Sequence, residues 1–159
     1  MADFKNKEMK KLYFTFLIVL FLGNLNILRA DDDKAISFNE LPDVAKNFIN
    51  ANFNKNDISY LKQDMDFFDG DYEVYFTNGD KVEFRSNGDW KEIKSKSTNV
   101  VKAVLPQSIL SYISAKHPKN VIYKVEREDK WYKKYYKIKL LSGIEMEFNF
   151  KGKFLRYDD

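Results

Sequence analysis

The chain contains itself twice. Residues 41–94 align without a gap against residues 105–158, at a constant spacing of 64, and twelve pairs are identical. They are Leu41, Pro42, Ile49, Ala51, Lys55, Asn56, Ile58, Tyr72, Gly79, Glu83, Phe84 and Gly88, each recurring 64 residues later. Phe48/Tyr112, Leu61/Val125, Val74/Ile138, Val82/Met146 and Trp90/Phe154 are conservative pairs at the same spacing. A repeat of this length is one supersecondary unit used twice, so it constrains architecture before any other feature does.

Each unit reads as a helix followed by strands. Ser37-Phe38-Asn39-Glu40 has capping-box spacing, and Pro42 suits a first helical position. A helix follows to about Asn52, with Ala45, Phe48 and Ile49 on its apolar stripe. Pro106 opens the second helix, with Ile109, Leu110 and Ile113 inward, and Pro118 closes it. Ile58–Gln63 and 121–127 read as the first strand of each set, at or near a sheet edge. Tyr72, Val74 and Phe76 alternate with polar neighbours, the period of a sheet buried on one face. Asn78-Gly79 and Asn87-Gly88 turn the chain back, as do Ser142-Gly143 and Lys151-Gly152, because glycine accepts positive φ. The expected fold is α+β: two tandem helix-plus-four-strand repeats, with antiparallel sheet and the helices on one face. The repeats span 31–94 and 105–159, joined by a linker at 95–104, in one eight-stranded sheet or two sheets packed edge to edge.

Ahead of the repeats, Lys5, Lys7, Lys10 and Lys11 precede the apolar run Leu12–Leu22, and Ala30 suits a cleavage site. Residues 1–30 therefore read as a secretory signal peptide, with Met9-Lys10-Lys11 the more ordinary start. The run is eleven residues, short of the roughly 20 that span a bilayer. With no cysteine in the chain, neither a lipidated cysteine nor a disulfide is available. The expectation is a free periplasmic or secreted protein, monomeric, with no membrane contact after cleavage. The segment carries five basic and two acidic residues, leaving 22 of each in residues 31–159. The basic pI therefore gives no argument for nucleic acid. The halves differ sharply: residues 31–94 hold 15 acidic and 8 basic groups, and residues 95–159 hold 7 and 14. Attraction between halves and steering of a partner both account for that split.

The Leu-Pro helix start, the Tyr-x-Val strand and the hairpin Asn-Gly-x-x-x-x-Phe-x-x-x-Gly-x-Trp resemble the PepSY-like family of exported bacterial proteins, described as β-lactamase-inhibitor-like. So does the Asp-Asp ending after a strand. The resemblance covers about residues 36–159. It implies the helix-plus-four-strand repeat seen also in β-lactamase inhibitory protein, whose sheet face grips its target enzyme. That inhibitor's disulfides have no counterpart here, nor do its enzyme-inserting loops.

Catalysis finds little material. His117 is the single histidine and reads as a turn residue; without a second histidine or a cysteine there is no triad and no zinc set. Asp64, Asp66, Asp69, Asp71 and Glu73 cluster around Gly70 but miss EF-hand spacing, since Phe68 falls where a ligand is required. No cofactor is expected. Lys130–Lys139 interleaves basic and aromatic residues as nucleic-acid surfaces can, but export argues against that use. The remaining candidate is a binding face: Glu73, Tyr75, Lys81, Glu83 and Arg85 outward in one repeat, Lys137, Lys139, Glu145 and Glu147 in the other. Trp131, Tyr132, Tyr135, Phe67 and Phe68 lie in turn regions beside it. Charged and aromatic residues on a rigid sheet are hot-spot material. The expected partner-binding set is Glu73, Tyr75, Trp131, Tyr135, Lys137 and Lys139, used by a non-enzymatic protein-binding module on an envelope enzyme of peptidase or β-lactamase type. A calcium- or small-ligand-binding envelope protein and a structural or stress-related protein are the alternatives.

Overall fold

The structure, a computed structural model, describes residues 33–65 and 70–158. Residues 1–30, expected as a signal peptide, the aromatic pair Phe67 and Phe68, and Asp66 and Asp69 of the acidic cluster lie outside the described residues. Among those described, nine strands form one antiparallel sheet in chain order: β1 (Lys34–Ala35), β2 (Ile58–Gln63), β3 (Tyr72–Phe76), β4 (Lys81–Phe84), β5 (Trp90–Lys94), β6 (Ile122–Lys130), β7 (Lys133–Leu140), β8 (Glu145–Asn149) and β9 (Phe154–Asp158). Three α-helices accompany them: α1 (Asp43–Asn52), α2 (Thr98–Val104) and α3 (Gln107–Lys116). The class is α+β, as the hairpin signals and period-two strands indicate.

Both proline-led helices begin alike. Pro42 and Pro106 stand one position ahead of α1 and α3 as N-caps, with φ of −55° and −54°. Ser37 starts a short 3₁₀ turn of its own, where the Glu40 carboxylate accepts the Ser37 backbone N–H at 2.7 Å. The helices lay their apolar stripes on one face of the sheet. Ala45 and Ile49 of α1 pack with Val74, Phe76, Val82, Phe84 and Ile93. Ile109 and Ile113 of α3 pack with Val125, Ile138, Leu140, Met146 and Phe148.

The structure departs from the sequence reading in three places. The stretch expected as a linker holds α2, whose adjacent residues Val100 and Val101 enter the first and second core clusters respectively. Val104 and Trp90 touch both clusters, so this connection helps to close the core. The strand expected at 121–127, at or near an edge, is a central strand. It pairs β5 through Glu92↔Glu126 and Lys94↔Lys124 and pairs β7 along its other side. That makes the sheet continuous across its middle. Finally, Lys34 and Ala35 pair with Gln63 and Lys62 as a ninth strand, one more than the eight expected.

Candidate binding face

The sheet face away from the helices is covered by no element among the described residues. Antiparallel register places its side chains in rows that cross the strands. One row runs Lys62, Glu73, Glu83, Glu92, Glu126, Lys137, Glu147, Arg156 from β2 to β9. The neighbouring row runs Tyr60, Tyr75, Lys81, Lys94, Lys124, Lys139, Glu145, Asp158 over the same strands. Four consecutive glutamates, from β3 to β6, thus lie beside four consecutive lysines, from β4 to β7. Rows two residues apart along a strand are about 7 Å apart.

Like charges directly opposite one another destabilise a sheet, and ion pairs between the rows offset that cost. Lys81 meets Glu83 at 2.6 Å and Glu73 at 3.0 Å. Lys124 meets Glu126 at 2.7 Å and Glu92 at 2.8 Å. Beyond the middle the signs reverse: Glu145 takes Lys139 at 2.6 Å and Lys137 at 2.9 Å, and Lys137 also reaches Asp158 at 2.6 Å. Glu147, buried between Met146 and Phe148 in sequence, is held by the Arg156 guanidinium through bonds of 3.0 and 2.9 Å.

These contacts set the protonation states. Burial works to lower the Lys81 pKa, but hydrogen bonds to Glu83 and Glu73 outweigh it and hold the ammonium above its ordinary value. Lys137 is raised by its bonds to Asp158 and then Glu145. Glu145, bonded by Lys139 and Lys137, falls to about 2. Glu92 goes the other way: burial raises it, only partly opposed by Lys124, and the Glu83 and Glu126 carboxylates add to the rise. Lysines so held stay protonated and are poor general bases. His117 sits at the end of α3, its Nε2 3.3 Å from the Tyr157 hydroxyl. No cluster of three metal-ligating side chains occurs among the described residues. The chemistry the face offers is charge recognition.

The six residues singled out from sequence are not one cluster. Glu73, Tyr75, Tyr135, Lys137 and Lys139 follow the outward alternation of β3 and β7. Tyr75 donates to Glu73 at 2.5 Å and lies under Lys81, whose ammonium is 5.2 Å from the ring centre. Lys133 covers Tyr135 at 4.4 Å. Trp131 stands apart at the β6–β7 turn, 90% exposed. Arg85, expected among the outward residues, donates to the Trp90 carbonyl at 3.1 Å and to the Arg127 carbonyl, so its guanidinium is engaged by the neighbouring strands. The sequence reading missed Glu92, Lys94, Lys124 and Glu126, the middle of both rows. Period-two alternation in Trp90–Lys94 and Ile122–Lys130 was the available signal. There Lys94, Lys124, Lys137 and Lys139 join Tyr123, Glu126 and Glu145 around a depression of about 320 Å³. Lys94 lies 5.3 Å from the Tyr123 ring centre.

Comparison with known proteins fits this architecture. A crystal structure of a protein from Bacteroides vulgatus, described as a "putative periplasmic protein from DUF2874 family", is 38% identical. The match covers 82% of this chain and 99% of that one, with a TM-score of 0.70. A "putative calcium-regulated periplasmic protein" from Bacteroides thetaiotaomicron is 36% identical over 82% of this chain and 99% of its own, with a TM-score of 0.73. A second Bacteroides vulgatus structure, a "putative periplasmic protein of unknown function", is 32% identical over 80% and 99%, with a TM-score of 0.70. No curated protein matches, and no enzyme family is indicated. Residues 70–156 match the family described as "Putative beta-lactamase-inhibitor-like, PepSY-like", and this chain belongs to that family.

Proposed function

We propose that this chain is an exported, non-catalytic module that binds another protein across the open face of its sheet, as an inhibitor or regulator of an envelope enzyme. The observation that carries the reading is the uncovered face itself. It is a rigid surface with glutamate and lysine rows side by side and the rings of Tyr75 and Tyr135 set among them. Complementary charge of this kind selects a partner and fixes its register more than it adds raw affinity. Export follows from cleavage after Ala30, and the periplasmic descriptions of the related structures support it. The architecture is two repeats, 31–94 and 105–159. Supporting that are Pro42 and Pro106 at matching caps, and Phe84 and Phe148 both fully buried.

Affinity capture from periplasmic extract, then affinity measurement on the captured protein, tests the reading. Tyr75→Ala and Tyr135→Ala should each weaken binding by about 2 kcal/mol or more if they are anchors, and Trp131→Ala, apart at the β6–β7 turn, is the comparison variant outside the open face. Alanines that lower the melting temperature while the folded fraction binds unchanged would overturn it. Capture of no client favours a structural or stress-related role. A second reading, calcium binding around Asp64–Glu73, draws on the description of the Bacteroides thetaiotaomicron relative. Against it, Asp71 is engaged by Lys91, and Glu73 by Lys62 and Lys81. A melting temperature that calcium leaves unchanged would dismiss it.

A further inference from the structure

The β6–β7 hairpin outruns the sheet. β5 reaches β6 at Glu92–Lys94 opposite Glu126–Lys124, and β8 reaches β7 only as far as Tyr135. The β6–β7 pairing continues past both, through Asp129↔Lys134 to Lys130↔Lys133. Among the described residues the end of the ribbon therefore has no strand paired on either side and extends past the last paired neighbour by roughly 10 Å, three residues at strand rise. At its tip Trp131 is 90% exposed and Tyr132 63% exposed, with the rings edge to face at 5.2 Å.

Turn chemistry does not account for these rings. The β3–β4, β4–β5, β7–β8 and β8–β9 turns each carry a glycine at positive φ. The Trp-Tyr turn carries none, and two large aromatic rings in water gain nothing from folding. Charge sits beside them. Lys130, Lys133 and Lys134 accompany a single carboxylate, Asp129, in the projecting segment. Lys134 takes Asp129 at 2.8 Å, Lys130 takes Glu128 at 3.1 Å, and Lys133 stacks on Tyr135. The β8–β9 turn at the same end of the sheet adds Lys151 and Lys153, both exposed.

Indole and phenol rings settle at the headgroup level of a bilayer, and flanking lysines are drawn to anionic phosphates. Two rings on a narrow tip cover far less than the roughly 800 Å² per partner of a stable protein interface, but they suit a shallow anchor. We propose that the Trp131–Tyr132 tip docks on an anionic lipid surface, its rings among the headgroups and Lys130, Lys133 and Lys134 on lipid phosphates. This surface is separate from the open sheet face, so its failure would leave the proposed function standing.

The test uses the protein as recovered from its native envelope, with vesicles of phosphatidylcholine alone or mixed equally with phosphatidylglycerol. The protein should sediment with the anionic vesicles and release as salt rises. Tryptophan emission should shift to the blue and be quenched by brominated lipid. Trp131→Ala with Tyr132→Ala should weaken binding by about tenfold or more, and Lys130→Gln, Lys133→Gln and Lys134→Gln together should weaken it and flatten its salt dependence. Both variants should melt with the wild type, because the altered side chains are exposed. No binding to anionic vesicles at low salt, or binding that the aromatic variant retains, overturns the proposal. So does a tip that ignores vesicles while Trp131→Ala weakens capture of an envelope protein.

Discussion

Gly88 offers the sharpest check on how α1 sits on the sheet. Gly79 and Gly88 occupy turns with nearly the same backbone, at φ of +84° and +86°. Alanine at either position bears the left-handed penalty of about 1–2 kcal/mol. The surroundings differ. At Gly79 an added Cβ would meet nothing within 4 Å. At Gly88 it would lie 2.9 Å from the Pro42 Cβ, 3.0 Å from the Val44 Cβ and 3.1 Å from the Ala45 nitrogen. None of these atoms can rotate away, so relief requires the start of α1 to lift from the β4–β5 turn. Overpacking of this kind costs about 1–3 kcal/mol. Gly88→Ala should therefore lose roughly 2–5 kcal/mol against roughly 1–2 for Gly79→Ala. Each kcal/mol is worth about 3–5 °C of melting temperature at this size. Gly152→Ala should fall between them, since it overlaps the rotatable Ser108 hydroxyl and meets the Ser108 Cβ at 3.0 Å. Urea and thermal unfolding of the three variants measure the order. A Gly88→Ala protein that melts with Gly79→Ala would refute the close approach of helix and turn.

Stability should fall in acid as Glu145 is protonated. Its folded pKa of about 2 lies below the ordinary 4.5, so its contribution is whole above about pH 5 and disappears as pH drops from 4.5 towards 2. Glu145→Gln should flatten that limb of a melting-temperature profile. Glu92→Gln should leave the melting temperature at pH 7 unchanged or raise it, because the raised pKa of Glu92 marks an ionised form that burial and two neighbouring carboxylates disfavour. A clear loss would mean that the Lys124–Glu92 pair outweighs that repulsion.

The sequence made the turns and the inward positions legible because both are local. Asn78-Gly79 declares its backbone, and the alternation of Val74 and Phe76 declares its face. Strand neighbours are not local. That β5 lies beside β6 depends on Glu92–Lys94 meeting Glu126–Lys124 across some 30 residues of intervening chain, and neither segment states it. α2 escaped for a different reason: its seven residues make under two helical turns, too short for a periodic stripe to stand out, and Val100, Val101 and Val104 favour strand by propensity. The outward residues were identified strand by strand, but their pairing was hidden with the register. Tyr75 and Glu73 read as free contact residues until the structure placed them against each other and beside Lys81. Trp131 was recognised as exposed turn material, while the projection of its hairpin depends on where β5 and β8 stop.

Within these rows several charges reverse sign between the halves, and the reversals are coupled; each half's share of the rows is neutral, so the difference in net charge between the halves lies outside them. At the spacing of 64, Glu73 becomes Lys137 and Lys81 becomes Glu145, yet the pair survives, at 3.0 Å in one half and 2.9 Å in the other. Lys62 becomes Glu126, Glu92 becomes Arg156, and Lys94 becomes Asp158. A single reversal would leave like charges side by side in partly buried positions, so partners must change sign together. The result keeps each half folded while presenting opposite potential at equivalent places, which suits a partner that is itself asymmetric. Glu73→Lys alone puts a third ammonium between Lys62 and Lys81 and should cost about 1–2 kcal/mol. Adding Lys81→Glu should recover part of that. Adding Glu92→Arg should recover more, because position 92 faces Glu83 as Arg156 faces Glu147. Binding at the face, measured on the folded triple variant, should stay lost while stability returns. If the three melting temperatures fall steadily instead, the reversed pairs are not interchangeable units, and the sign reversals at equivalent positions need another cause.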